Sequence, residues 1–152
     1  MRNCIRIILC VMLFLTFSGC RIIKHDPYIH NGYTQSQEHR QKERFQDITD
    51  FCVYHYDSDK SFRNDPNYTE MKAEDVESIR GFFSNFKQWM EAQHRLDEYT
   101  FDEACISEGD YFLIKTKEGE RVSDFVYGQY DSYTLYFFDR ESFSLFYIHT
   151  NI

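Results

Sequence analysis

"YTLYFFDRESFSLFYIHT", residues 133–150, is the stretch on which the fold turns. Tyr133, Leu135 and Phe137 alternate with Thr134, Tyr136 and Phe138. After the turn formers Asp139, Arg140, Glu141 and Ser142, a second alternation sets Phe143, Leu145 and Tyr147 against Ser144, Phe146 and Ile148. Period-two patterning on both sides of a four-residue polar break reads as a β-hairpin. Both faces of this hairpin carry rings. One face fits under a helix; the other needs the N-terminal segment, a second chain or a ligand over it, unless the pair is central and buried on both sides. Tyrosine joins a rigid apolar body to a polar tip and serves contact surfaces well, so Tyr133, Tyr136, Phe138 and Phe146 are the candidate binding surface.

Working outward, "YFLIKTKEGERVSDFVYG" (111–128) reads as two more strands around Lys117-Glu118-Gly119-Glu120, with the next turn at Gly128 to Asp131. Connections this short cannot make parallel crossovers, so the four strands are expected to form an antiparallel meander. Upstream, Val76, Ile79, Phe83, Phe86 and Met90 recur at steps of three and four, and Phe82 and Trp89 widen the stripe. This predicts one long amphipathic helix over 73–96. Glu74, Asp75 and Glu77 lie at its positive end, and His94 and Arg95 at its negative end. "DITDFCVYHY" (47–56) adds a strand with Thr49, Phe51, Val53 and His55 on one face and Ile48, Asp50, Cys52, Tyr54 and Tyr56 on the other. The expected class is α+β, β-α-β-β-β-β, with the helix packed on a meander sheet of four to five strands. Residues 97–109 leave room for one more short strand around Tyr99 to Phe101. The expected domain is 47–152, preceded by a polar tether over 20–46 in which Pro27 and Gly32 interrupt regular structure.

The first twenty residues, "MRNCIRIILCVMLFLTFSGC", have a different character. Arg2 and Arg6 precede an apolar run from Ile7 to Phe17, followed by the small residues Ser18 and Gly19 and then Cys20. That is the plan of a secretory signal. Eleven helical residues rise only about 16 Å, roughly half the hydrocarbon thickness, which disfavours a permanent span. An uncleaved anchor and plain secretion are the other outcomes such a segment allows. The end of the segment, "FSGC" (17–20), resembles the lipobox of bacterial lipoproteins. The resemblance implies removal of residues 1–19, a diacylglycerol thioether on Cys20 and acylation (palmitate-type) of its new amine. Each chain adds on the order of 10 kcal/mol of burial, enough for two or three to hold the protein on a membrane. By the same resemblance, Arg21 at the second mature position implies the outer membrane, facing the periplasm.

Of the five cysteines, Cys4 and Cys10 leave with such a signal and Cys20 is lipidated, so Cys52 and Cys105 remain. In an oxidising envelope an even pair is expected to bridge, a gain of roughly 4 kcal/mol in the loop-entropy picture. Two separate buried thiols are the alternative.

Charge excludes some partners. The chain has 17 basic and 25 acidic residues, and loss of Arg2 and Arg6 leaves 15 against 25, about −10. Such a surface does not attract nucleic acid, and a charged partner is expected to be basic. His55, His94 and His149 fit no metal-ligand or nucleophile spacing, and no phosphate- or dinucleotide-binding fingerprint occurs, so neither a cofactor nor a catalytic residue is assigned. Asp57, Asp59 and Ser61 alternate as in a calcium loop, but Phe62 and Tyr68 stand where the turn glycine and the bidentate glutamate are needed. Asn67-Tyr68-Thr69 is a formal sequon that a bacterial lipoprotein does not normally use. Three functions are compatible with this pattern: a lipid-anchored binding or structural module for a protein or glycan, an inhibitor or immunity-type lipoprotein against a basic toxin or hydrolase, and an envelope hydrolase built on Cys52 or Cys105 with a histidine.

Overall fold

The computed structural model describes residues 26–41, 48–122 and 132–151. The signal segment, Cys20, Arg21 and the expected turn at 128–131 lie outside them. Six strands form one antiparallel sheet in the order β1-β2-β6-β5-β4-β3: β1 (Gln35–His39), β2 (Ile48–His55), β3 (Thr69–Glu70), β4 (Tyr111–Thr116), β5 (Tyr133–Asp139) and β6 (Ser144–Asn151). A single turn of helix, α1 (Lys60–Arg63), precedes β3, and the long helix α2 (Val76–Ala92) follows it. The α+β class and the antiparallel sheet with one main helix match the pattern of the sequence; the count of four to five strands does not, because β1 and β3 extend both edges.

The hairpin at 133–150 forms, with Tyr136 opposite Tyr147 and Asp139 opposite Ser144, so its turn is 140–143 and not the expected 139–142. β2 then pairs with β6 from Ile48↔Asn151 to His55↔Ser144, which makes the C-terminal strand central. Of the strand expected after the 117–120 turn, only Arg121 and Val122 are among the described residues; they meet β4 through a bridge between Lys115 and Arg121 and a bond from Val122 N–H to Ile114 O. β4 pairs directly with β5 along its other edge. Tyr99 and Phe101 belong to no strand. They form an extended link between two 3-10 turns, Leu96–Glu98 and Glu103–Cys105, and bury their rings under α2.

α2 presents Ile79, Phe82, Phe83, Phe86 and Met90 to the sheet, all buried. They meet Phe51 and Val53 of β2, Phe112 and Ile114 of β4, Tyr133, Leu135 and Phe137 of β5, and Ile148 of β6. The Tyr133 hydroxyl donates to Phe82 O at 2.9 Å, so its polar tip is satisfied inside this layer. The helix stops short of residue 96 because His94 turns left-handed at φ 57° and Arg95 N–H returns to Met90 O at 2.9 Å, a Schellman-type end. Arg95 then grips Glu98 and donates to Thr49 O at 2.6 Å, fixing the helix terminus to the start of β2.

The opposite face holds a second core: Cys52, Tyr54, Tyr56, Phe62, Tyr68, Leu113, Tyr136, Phe138, Leu145 and Tyr147 with Ile29, and Tyr28 packed against them. Its cover is α1 together with residues 26–34, so the described part of the expected tether packs on the domain. Three buried tyrosines need partners for their hydroxyls, and this segment supplies them. Tyr68 donates to Tyr28 O at 2.7 Å, Tyr56 to His30 O at 2.9 Å, and Tyr136 to Asp26 Oδ2 at 2.7 Å. Thr34 N–H then bonds His55 O and the chain continues as β1 along β2.

The expected Cys52–Cys105 bridge is absent, and both thiols are free. Alternation along β2 sends Phe51 and Val53 toward α2 and Cys52 into the second core, whereas Cys105 packs against the α2 layer. The sheet stands between them. Burial pushes both thiols up to about 12, so at neutral pH only about one in 10⁵ is thiolate. Thiol titration is expected to find both cysteines in guanidinium without any reductant and neither at an appreciable rate in the native protein; a need for reductant would contradict the two-faced placement.

Candidate functional site: a cleft at the turn end of the sheet

The four rings expected to form a contact surface do not share one. Tyr133 is buried beneath α2, and Phe146, half-buried, packs 4.5 Å from Phe101 on the same side. Tyr136 and Phe138 are buried on the other side, Phe138 stacked on Phe62 at 3.9 Å. The alternation expected to expose one set is satisfied on both faces, as in a central strand pair.

What faces solvent is a cleft of about 470 Å³ at the end of the sheet where β5 turns into β6. Three short connections build it. Asp59 opens α1 and pairs with Arg63 one turn later, with Arg140 Nε also 3.4 Å away. The hydrogen bond from Arg63 holds the Asp59 carboxyl below its ordinary value. Residues 107–110 make the second wall. Asp110, only 2 % exposed, accepts from Ser107 N–H at 2.9 Å, from the Ser107 hydroxyl at 3.2 Å and from Arg140 N–H at 3.0 Å. Gly109 sits at φ 92°, a conformation that favours glycine, and a Cβ there would lie 3.2 Å from Arg140 Nη1, whose side-chain end would have to shift slightly. The third wall is the 140–143 turn. Asp139 accepts from Glu141 N–H and from the Ser142 hydroxyl, and Arg140 lays its guanidinium 5.4 Å from the centre of the Tyr111 ring while donating to Gly109 O at 2.9 Å. Phe143 ends the turn at φ 52°, its carbonyl taken by Tyr56 N–H. It is 38 % exposed, the one exposed phenylalanine among the described residues.

Burial is the main cause that raises the Asp110 carboxyl above its ordinary value. A raised folded-state value means that Asp110 contributes most below the unfolded value near 3.8 and loses that contribution as pH rises through the folded one. Asp110→Asn keeps one acceptor and strands a backbone N–H, a cost of about 1–3 kcal/mol. The urea-midpoint gap between wild type and Asp110→Asn is expected to widen on acidification toward about pH 4 and narrow toward neutrality; a gap that shrinks in acid would reverse the assignment.

A second polar group crosses the far end of the second face. The register sets Asp50, His149 and Thr134 side by side on β2, β6 and β5. His149 Nδ1 lies 2.9 Å from Thr134 Oγ1, and Asp50 accepts Gln41 N–H at 2.6 Å. Desolvation lowers the His149 imidazole and raises the Asp50 carboxyl. Of the other histidines, His55 bonds Ser144 Oγ at 2.9 Å and His94 caps α2. No cysteine–histidine hydrogen bond occurs among the described residues; Cys52 is buried and Cys105 half-buried. The acidic run at 57–61 leads into α1, with Asp59 turned to the arginines; among the described residues no group of three or more metal-ligating side chains converges. No described helix is long and apolar enough to cross a membrane.

Glu108, Asp110, Arg140 and Phe143 carry no mark in the sequence that singles them out as site residues. The signals present are the turn compositions of "ISEGD" and "DRES", which identify loops without showing that the two loops meet. Compared with family models, with curated proteins and with solved structures, the chain matches none of them.

Proposed function

We propose that the protein is a lipid-anchored envelope lipoprotein, held through Cys20 in the outer membrane on its periplasmic side, and that it is a non-enzymatic module binding a protein partner at the turn-end cleft. The observation that carries the reading is Phe143, a phenylalanine held left-handed and exposed on the rim of an open cleft. The hairpin turn needs that conformation but favours glycine or asparagine in it, and the exposure forgoes burial, so the fold itself does not call for a phenylalanine here. An aromatic anchor beside a polar rim is the usual centre of a protein contact. A glycan is the other occupant such a rim accepts.

The test uses the native host. A photo-crosslinking residue at 143 is expected to capture one defined partner, and the same residue at Lys87, exposed on α2, is expected not to. Mass spectrometry of the same material is expected to find Cys20 acylated and Met1 gone. No capture at 143, or an unmodified Cys20 behind an intact Met1, would remove the module or its anchor respectively. The acidic balance of the mature chain supports a narrower reading, an inhibitor or immunity-type protein against a basic toxin or hydrolase.

A further inference from the structure

We infer that the cleft seats a lysine or arginine side chain of a basic protein, laid on the Phe143 ring between Glu108 and Glu141. This rests on the binding-module reading above and specifies its partner.

Most charges in the cleft are already engaged. Four carboxylates and two guanidiniums line it. Arg63 is paired with Asp59, and Arg140 is held by Asp59, by Glu70 at 3.6 Å and by Gly109 O. Asp110 is satisfied by Ser107 and Arg140. The charges left without a side-chain partner among the described residues are Glu108 and Glu141, both exposed. An anion entering here meets cations already neutralised, whereas a cation meets two free carboxylates and an exposed aromatic ring, a combination that favours guanidinium or ammonium over a neutral group. The mature charge of about −10 draws such a partner in from a distance. The arginines serve the site indirectly, tying together the segments that line the cleft.

The test uses the full lipidated chain in nanodiscs of zwitterionic lipid, titrated with fluorescent hexa-arginine, hexa-glutamate and a neutral oligosaccharide as separate probes. Hexa-arginine is expected to bind, with affinity falling more than about tenfold between roughly 50 and 500 mM salt. Phe143→Ala, and separately the pair Glu108→Gln with Glu141→Gln, are each expected to weaken it about tenfold. The charge-matched pair Glu91→Gln with Asp97→Asn, exposed at the other end of the sheet, is expected to leave it within about twofold. Equal losses from both charge pairs would mean diffuse attraction to an acidic surface and overturn the site. Preference for hexa-glutamate or for the oligosaccharide would overturn the partner chemistry. Should Phe143→Ala lower the melting temperature, the glutamate pair decides the test, since both of its residues are exposed. If residue 143 crosslinks a partner in cells while hexa-arginine fails here, the module stands and this inference falls; if 143 captures nothing, the module itself falls.

Discussion

Replacing residues 26–41 with a glycine-serine segment of equal length is expected to abolish the cooperative melt of the domain. A tether would tolerate the exchange; a structural layer does not. The segment supplies β1, five residues paired along β2, and the cover over Tyr136 and Tyr147 from the N-terminal side. It also accepts from three tyrosine hydroxyls that would otherwise lose their partners. Re-exposing Ile29 and even part of Tyr54, Tyr56, Tyr136 and Tyr147 forfeits about 1.5–3 kcal/mol per large side chain, which together reaches the roughly 5–15 kcal/mol that stabilises a typical domain. Circular dichroism melts and a dye that reports exposed apolar surface read the result. A variant melting within a few degrees of wild type, without dye binding, would restore the tether.

The same segment marks the point where sequence pattern stops being informative. "QSQEH" forms a strand whose residues are exposed or half-exposed, so no apolar alternation marks it. Its order comes from partners far along the chain, and Asp26 meets Tyr136 across 110 positions. β3, at two residues, is shorter than any pattern can register. By contrast α2 and the terminal hairpin are legible because each buries a repeating face: Ile79, Phe83, Phe86 and Met90 fall where the periodicity puts them. The excess of rings in 133–150 correctly signals a need for cover on both sides. It does not say that the chain's own N-terminal segment provides it, and so buried side chains read as a contact surface. The cleft is illegible for a related reason. Its walls come from three loops brought together by Arg140 and Asp110, and the left-handed turn at Phe143 has no sequence mark, since glycine or asparagine is the residue expected there.

Phe137→Ala and Phe138→Ala, at adjacent positions of β5, are each expected to destabilise the protein by about 3–5 kcal/mol. In a sheet packed on one side only, neighbours along a strand face opposite environments and one of the two changes would be nearly neutral. Here both rings are fully buried. Phe137 lies among Phe83, Phe101 and Phe146 at 5.7, 5.8 and 6.3 Å. Phe138 stacks on Phe62 and stands edge-on to Tyr56 at 6.1 Å. The two cavities open into cores separated by the sheet, so the double variant is expected to lose close to the sum of the single losses, with coupling limited to their shared backbone. Urea melts give the three values. A neutral Phe138→Ala would mean that the second face is not closed in solution. The layer of residues 26–34 would then be a loose flap, and Tyr136 and Phe138 would again be available to a partner.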